Sequence, residues 1–285
     1  MVVFTNFFLI VFQLLSLETS IAFVDVGQGD SIVIQTPLKH EVYIIDTGGR
    51  VNFFQEDWKS REYRTNAEYT LIPYLKGEGV KKVDGLFLTH GDMDHMGDAQ
   101  KLIEEFDVKA LYLGKGSLQS SNIKKLLKKS PEKIPVKEVG SKTQIGDKLK
   151  LHILAPEHVG KGENEDSLAI GATIYGTNFV MTGDLDQAGE KKITQDYPSL
   201  QADVLKLGHH GSRTSTASAF VDQLQPKHGI ISCGIDNRFG HPHAEVVDTL
   251  KENHVQILRT DEQGMIRYSW KMFNPKMKIT KQKED

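Results

Sequence analysis

At 285 residues and 39% hydrophobic content, the chain has enough apolar material for one large core or two modest ones, and a single α/β domain is the default reading. A formal charge of −3 argues against a nucleic-acid binder built on a basic stripe, so an acidic polymer has to be met locally. The single cysteine, Cys233, excludes an intrachain disulfide framework and reads as a small buried hydrophobe within the apolar run Gly229-Ile230-Ile231-Ser232-Cys233.

Residues 1–17 are apolar apart from Thr5, Asn6, Gln13 and Ser16 and carry no Lys or Arg. They fall a little short of a full membrane span and lack the charged region and cleavage site of a secretory signal. Residues 1–20 are therefore expected to be a membrane anchor or the remnant of a membrane region, with a core-facing first helix as the alternative. The run 19–26, the turn Gly27-Gln28-Gly29-Asp30 and the β-branched run 31–36 predict a hairpin with a tight turn. Residues 41–45 predict a strand ending on Asp46-Thr47-Gly48-Gly49, which puts a carboxylate at a strand end. Taken alone, Asp46 is no more than an ordinary turn residue. Residues 50–66 are polar and aromatic without a period, as expected of a loop that covers a site. A helix follows over 67–76, with Leu71, Ile72 and Leu75 on one side and Pro73 predicting a kink or a late start.

The densest chemistry follows the apolar run 83–88, which reads as a short buried strand. Thr89-His90-Gly91-Asp92-Met93-Asp94-His95 places four metal-ligand-type side chains within six residues, and Met96-Gly97-Asp98 opens a helix. On such a strand-to-helix turn His90 and Asp92 can face one point and Asp94 and His95 a neighbouring one, an arrangement that fits two divalent metals better than one. A lone His-x-Asp would be turn chemistry; four candidate ligands in register are not.

Further on, a helix is expected over 98–106, a strand over 109–113 and a helix over 117–129. The helix carries Lys124, Lys125, Lys128 and Lys129, which read as a solvated face in preference to a phosphate site. Strands are expected over 148–154, 168–174 and 179–181, the last delivering Asp184 at a strand end. A helix over 187–195 and a strand over 203–207 lead to Gly208-His209-His210-Gly211-Ser212. Then come a helix over 215–224, a strand over 228–232, the loop Asn237-Arg238-Phe239-Gly240-His241-Pro242-His243, a helix over 244–253 and strands over 255–258 and 265–268. Residues 271–285 are expected to be a polar tail, frayed from 276 on. His152 and His158 stand alone and read as strand or surface histidines.

Strands that repeatedly end in Asp or His and hand over to helices predict a layered αββα arrangement with a site at one rim of the sheets. Asp46 in Asp-Thr-Gly-Gly, the His90/Asp92/Asp94/His95 cluster, Asp184 in Thr-Gly-Asp-Leu and the late His241 together resemble the ordered motifs of the metallo-β-lactamase fold. More narrowly, Asp25-Val-Gly-Gln-Gly-Asp30, Gly208-His-His-Gly-Ser212 and Asn237-Arg-Phe-Gly-His-Pro242 resemble the soluble hydrolase domain of the ComEC family of competence proteins. The resemblance covers residues 21–268 and implies an α/β fold, a four-layer αββα metallo-β-lactamase-like sandwich, over 21–270.

The resemblance also implies roles. His90 and Asp92 would hold a first metal, Asp94 and His95 a second, Asp184 would bridge them and His241 would complete the second site. Asp46 would orient the ligands through hydrogen bonds. Asp94, His209 and His210 are the candidate catalytic residues, one of the two histidines donating to a phosphate or leaving group and the other bracing its loop. Two departures stand out: Asp92 replaces a second His, and no His precedes Asp184 at the usual separation, where Asn164, Asp166 and Ser167 are the nearest candidates. Both shift the ligand set toward oxygen, so the expected cofactors are two divalent metal ions, manganese favoured and zinc the alternative.

The implied activity is that of a metal-dependent phosphodiesterase, a nuclease that degrades the non-imported strand during DNA uptake. DNA or another phosphodiester would be the substrate and a membrane channel protein the partner, with the hydrolase domain membrane-associated on the extracytoplasmic face. Two other readings compete. A phosphorylcholine-esterase-like hydrolase would need an aromatic cage, for which Phe53, Phe54, Trp58, Tyr63 and Tyr69 supply rings. A metal-poor DNA-binding module would explain the absent third His but not the intact Asp94, His95, Asp184 and His241.

Overall fold

Side chains alternate between the two faces of a strand, and in this chain both faces of most strands are apolar, which demands cover on both sides. A computed structural model describes residues 17–49, 65–130, 134–272 and 274–282; residues 1–16 of the expected anchor over 1–20 and most of the expected covering loop lie outside them, whereas residues 18–20 belong to the first strand of a sheet. In chain order the strands are β1 (Glu18–Phe23), β2 (Ile32–Gln35), β3 (Val42–Ile45), β4 (Lys82–Val83), β5 (Gly85–Leu88), β6 (Asp107–Val108), β7 (Leu111–Gly114) and β8 (Val136–Val139). They continue as β9 (Gln144–Ile145), β10 (Leu151–Ala155), β11 (Ala169–Ile174), β12 (Thr177–Met181), β13 (Val204–Lys206), β14 (His228–Ile231), β15 (Gln256–Arg259), β16 (Ile266–Lys271) and β17 (Asn274–Lys281). An eight-stranded sheet runs β17-β16-β1-β2-β3-β5-β7-β8, a seven-stranded sheet runs β15-β14-β13-β12-β11-β10-β9, and β4 pairs with β6.

The alternation sorts the apolar side chains into three layers. Ile32, Ile34, Tyr43, Ile45, Phe87 and Tyr112 face inward and meet Ile153, Ile170, Phe179, Met181, Val204 and Ile230 of the second sheet. Their neighbours Val33, Val42, Ile44, Leu86, Leu88 and Leu111 face outward onto helices α1 (Asn66–Tyr69), α2 (Leu71–Gly77), α4 (Ala99–Glu105) and α5 (Ser121–Lys129), with α3 (Met93–Met96) between. On the far side Val180, Leu205 and Ile231 pack under α6 (Gln187–Asp196), α7 (Ser218–Leu224) and α8 (Ala244–Glu252), and a short α9 (Thr260–Gln263) follows β15. This is the αββα sandwich that the repeated strand-to-helix handovers predict.

Four local differences have physical causes. β1 and β2 do pair antiparallel, from Ser20 opposite Gln35 to Phe23 opposite Ile32, but residues 24–31 form a wide loop. Gly29 adopts φ +133, and a Cβ there would collide with Asp94 O, so this glycine serves close approach to the α3 turn rather than a tight hairpin. The helix expected over 67–76 breaks at Thr70, which leaves Pro73 in the first turn of α2 where its missing N–H is tolerated. The helix expected from 215 starts at Ser218 because the Glu190 carboxylate takes the N–H groups of Thr216 and Ala217, and Thr216 is left-handed at φ +60.

The polar tail expected over 271–285 is corrected as well. Asn274–Lys281 forms β17, paired with β16 so that Tyr268 faces Ile279, and Ile279 packs against the inter-sheet core. An edge strand needs one apolar contact and a partner backbone, and lysines along it discourage further pairing; its composition therefore looks like a tail.

The parallel strands β3, β5, β12, β13 and β14 all end at one rim, and each delivers a polar loop there. At that rim Lys206 closes β13 with no exposed surface, and its Nζ donates to Asp30 Oδ2 at 2.8 Å and to Leu207 O at 2.9 Å. Burial pushes the Asp30 carboxyl up, but the ammonium beside it and His210 hold it well below the usual carboxylate range. Lys206→Met is expected to strand Asp30 as an uncompensated buried charge and cost about 3–5 kcal/mol in urea unfolding. Adding Asp30→Asn should recover part of that loss; a single variant as stable as wild type would show that the pair contributes nothing.

Candidate metal centre

Asp46 sits just beyond β3 in a left-handed conformation at φ +58, which a short polar side chain tolerates. Its Oδ1 accepts from Thr89 N at 2.8 Å, and its Oδ2 accepts from Thr89 Oγ1 at 2.7 Å and His95 Nδ1 at 2.8 Å. With the Thr89 hydroxyl proton given to Asp46, Thr89 Oγ1 is free to accept from His90 Nδ1 at 3.0 Å. His210 Nδ1 in turn donates to Ser232 O at 3.0 Å. Each of the three imidazoles thus has its Nδ1 proton committed outward, which leaves the Nε2 lone pair pointing inward.

Those lone pairs converge on Asp184. His95 Nε2 lies 3.0 Å and His210 Nε2 3.7 Å from Asp184 Oδ1, and the two Nε2 atoms are 3.2 Å apart. On the other side His90 Nε2 lies 3.7 Å and His209 Nε2 3.6 Å from Asp184 Oδ2, which also accepts from Asn164 Nδ2 at 3.4 Å. Asp94 Oδ2 stands 3.5 Å from His210 Nε2, and Asp92 Oδ2 stands 3.9 Å from His90 Nε2. The carboxylate of Asp184 therefore separates two groups of donors: Asp94, His95 and His210 on one side, His90, Asp92, His209 and Asn164 on the other. Asp30 joins the first group, since one ligand atom each from Asp30, His95, Asp184 and His210 all lie within 4.8 Å of one another.

The residues fit divalent cations. His90 Nε2, Asp184 Oδ1 and Asp30 Oδ1 are buried with no hydrogen-bond partner among the described residues, a costly condition that a cation would relieve. Two lone pairs aimed at each other and at a carboxylate are repulsive unless a proton or a cation lies between them. Without a cation, protons take that role. Burial pushes His95 and His210 down, but Asp184 with Asp46 raises His95 well above its ordinary value, and Asp184, Asp30 and Asp94 lift His210 to about 9. Burial likewise pushes Asp184 up, and the facing imidazoles His95 and His210 hold it well below the carboxylate range. His90 is pushed down by burial and by His95.

The structure exchanges two histidines relative to the expected order. His210, expected beside His209 as a catalytic group, is the imidazole that meets His95 and Asp184. His241, expected to complete the second set, lies outside the four-residue cluster with its ring centre 6.2 Å from that of His210 and 5.6 Å from that of His209. The cause is local: His209 and His210 both adopt left-handed backbone, at φ +47 and +55, which turns the second side chain under the first and into the interior. His209 is left partly exposed, with Nδ1 3.2 Å from Thr214 Oγ1. Burial and the neighbouring His210 push His241 down to about 4.

Of the candidates near the absent third His, only Asn164 reaches the Asp184 carboxylate. Asp166 turns back to accept from Lys161 N at 2.6 Å and Gly162 N at 3.0 Å, and Ser167 Oγ accepts from Asp184 N at 3.1 Å. His152 pairs with Gln144 and His158 is exposed beside Glu157, both away from the centre. Of the five rings proposed for a cage, four lie outside the described residues and Tyr69 is exposed on α1. Sequence reasoning gave no role to Asp30, Thr89, Lys206 or Ser232. Lys206 had a signal, a lysine inside the apolar run Val204-Leu205-Lys206-Leu207, and Asp30 had its motif; the other two are common residues with none.

The geometry meets its relatives at this point. The chain is 38% identical to ComE operon protein 3 of Bacillus subtilis (strain 168) over 93% of its own length and 35% of that protein. It is 26% identical to competence protein ComA of Neisseria gonorrhoeae over 88% of its length and 32% of that protein. It is 27% identical to recombination protein 2 of Haemophilus influenzae over 93% and 30% of the two chains. The chain thus spans about a third of the length of the curated relatives it matches. In fold it is similar to a CmlA beta-hydroxylase mutant (TM-score 0.57, 12% identity, 89% of this chain and 54% of that one). It is also similar to the metallo-beta-lactamase fold protein YhfI from Bacillus subtilis (TM-score 0.51, 13% identity, 84% and 95%). Residues 24–235 match the Metallo-beta-lactamase superfamily, and with the αββα sandwich and the histidine–aspartate cluster at its rim, the chain belongs to that superfamily.

Proposed function

We propose that this chain is a divalent-metal-dependent phosphodiesterase that cleaves nucleic acid, and that it degrades the non-imported strand during DNA uptake. The observation that carries the reading is Asp184, whose two oxygens face separate groups of imidazole and carboxylate donors. Bound there, two divalent cations would acidify a water and offset charge on a phosphoryl oxygen. The relatives named for competence and recombination support nucleic acid as the substrate.

In this reading the protein groups divide the work by exposure. His90, Asp92 and Asp184 Oδ2 would hold one cation, with Asn164 Nδ2 donating to that carboxylate oxygen, and Asp94, His95, His210 and Asp184 Oδ1 would hold the other, with Asp46 fixing the tautomer of His95. Asp30, itself paired with Lys206, lies 3.5 Å from His210 Nδ1. His209 is the histidine open to substrate, with Nε2 3.6 Å from Asp184 Oδ2, and can deliver a proton to the leaving oxygen. No protein nucleophile is required. A metal-poor binding module has little support from buried, unpartnered acceptors such as His90 Nε2. The membrane tether and channel partner belong to this same proposal; among the described residues no helix is long and apolar enough to cross a membrane.

The test is to assay the purified chain with manganese, zinc or magnesium on single-stranded DNA, double-stranded DNA and a phosphocholine ester. Manganese-dependent DNA cleavage is expected, and Asp184→Asn should reduce it by more than the ~10–100-fold typical of residues behind the ligands, with the thermal midpoint little changed. DNA cleavage retained in the variant at normal metal content would reject the two-ion arrangement. A second expectation concerns the metal. Asp92 offers oxygen where imidazole would suit zinc, so Asp92→His should lower the manganese-to-zinc activity ratio. An unchanged ratio would show that Asp92 does not select the metal.

A further inference from the structure

Helix α5 combines three features that the centre itself does not use. The sequence from 108 to 131 contains six lysines and no acidic residue, in a chain whose overall charge is −3. Some surface lysines are paired with an acid, Lys82 with Asp84 at 2.6 Å, Lys227 with Asp203 at 2.8 Å and, within this stretch, Lys109 with Asp107 at 2.6 Å. Among the described residues no acidic group reaches Lys125 or Lys129, and both are exposed.

These two lysines line a groove of about 180 Å³ together with Met93, Met96, Gly97, Gln100, Asn122 and Leu126. Its near end is Met93, which stands in sequence between Asp92 and Asp94. The helix is fixed to that turn: Asn122 Nδ2 donates to Gly91 O at 2.9 Å, and a Cβ on Gly91 would collide with Ser120 Oγ. A ligand held in the groove is therefore held in register with the residues at the metal centre. Lys125 and Lys129 are one turn apart, ~6 Å along the axis, which is on the order of two axial rises of a stacked nucleic-acid strand at about 3.4 Å each.

We propose that Lys125 and Lys129 form a track for the phosphodiester backbone of a nucleic-acid strand leading into the metal centre. This rests on the phosphodiesterase reading and adds that the substrate is a polymer gripped outside the reacting bond. An anionic membrane surface is the competing occupant, but a helix that lies on a membrane exposes apolar anchors between its lysines. In α5 Ile123 and Leu126 are buried in the core against the sheet instead, and none of the large exposed hydrophobic residues lies on this helix.

The experiment measures binding of a fluorescein-labelled twenty-nucleotide oligothymidylate by anisotropy, over a range of salt, with EDTA present to prevent turnover. The full chain is compared with Lys125→Gln/Lys129→Gln and with Lys82→Gln/Lys109→Gln, which makes the same charge change at lysines already paired. The first double variant should bind at least ~10-fold more weakly than wild type at low salt, and its log-log salt slope should fall by about 1.4, as two lost phosphate contacts on a single strand require. The second should match wild type. If the two double variants behave alike, or if wild type ignores the oligonucleotide while binding phosphatidylglycerol vesicles, the track is wrong. Because binding is read without hydrolysis, a chain that binds in this way but cleaves nothing would sink the phosphodiesterase reading, and one that cleaves with both variants alike would sink the track alone.

Discussion

Collecting ionisable groups in the interior is unfavourable unless each finds a partner. At the rim of this sandwich His90, His95, His210, Asp30, Asp46 and Asp184 are all nearly or fully buried. The compensation is ordered from the outside in. Asp46, Thr89 and Ser232 take the Nδ1 protons, Lys206 neutralises Asp30, and the inward Nε2 and carboxylate atoms are left facing one another. Such a surplus of acceptors calls for a proton or a cation in the middle, so the fit to cations follows from the hydrogen bonding of the residues behind the candidate ligands as much as from those ligands.

The sandwich makes that concentration feasible. Parallel strands of both sheets end at the same rim, and their loops close over one point from two directions: Asp46 and the His90 turn from the first sheet, Asp184, His210 and Ser232 from the second. The loop with Asp30 ties the two halves together. Asp30 N donates to Asp94 O at 3.3 Å, Gly48 N donates to Asp30 O at 2.8 Å, and the Asp30 side chain reaches Lys206 across the interface. Left-handed backbone at Asp46, His209 and His210 lets neighbouring residues point to different sides of the centre, a local strain that the surrounding bonds can hold.

The layered fold was legible in the sequence, and so was the meeting of the 89–95 turn with Asp184 at the rim, because each rests on short-range pattern: two-residue alternation, dense spacing of ligand-type side chains, a carboxylate ending a strand. The choice between His210 and His241 was not legible, because it depends on backbone sign at two successive residues rather than on spacing. Lys206 and Asp30 form a pair across 176 positions, beyond any local pattern. β17 has the composition of a tail, and its strand character comes only from pairing with β16. The α5 lysines read as a solvated face until their groove was placed against Gly91.

The most direct measurement is the anomalous scattering of crystals grown with manganese, with peaks located against the refined side chains. The account predicts one peak shared by His95 Nε2, His210 Nε2, Asp94 and Asp184 and a second shared by His90, Asp92 and Asp184. A peak coordinated by His241 with His210 turned away, or no peak on either side of Asp184, would contradict it.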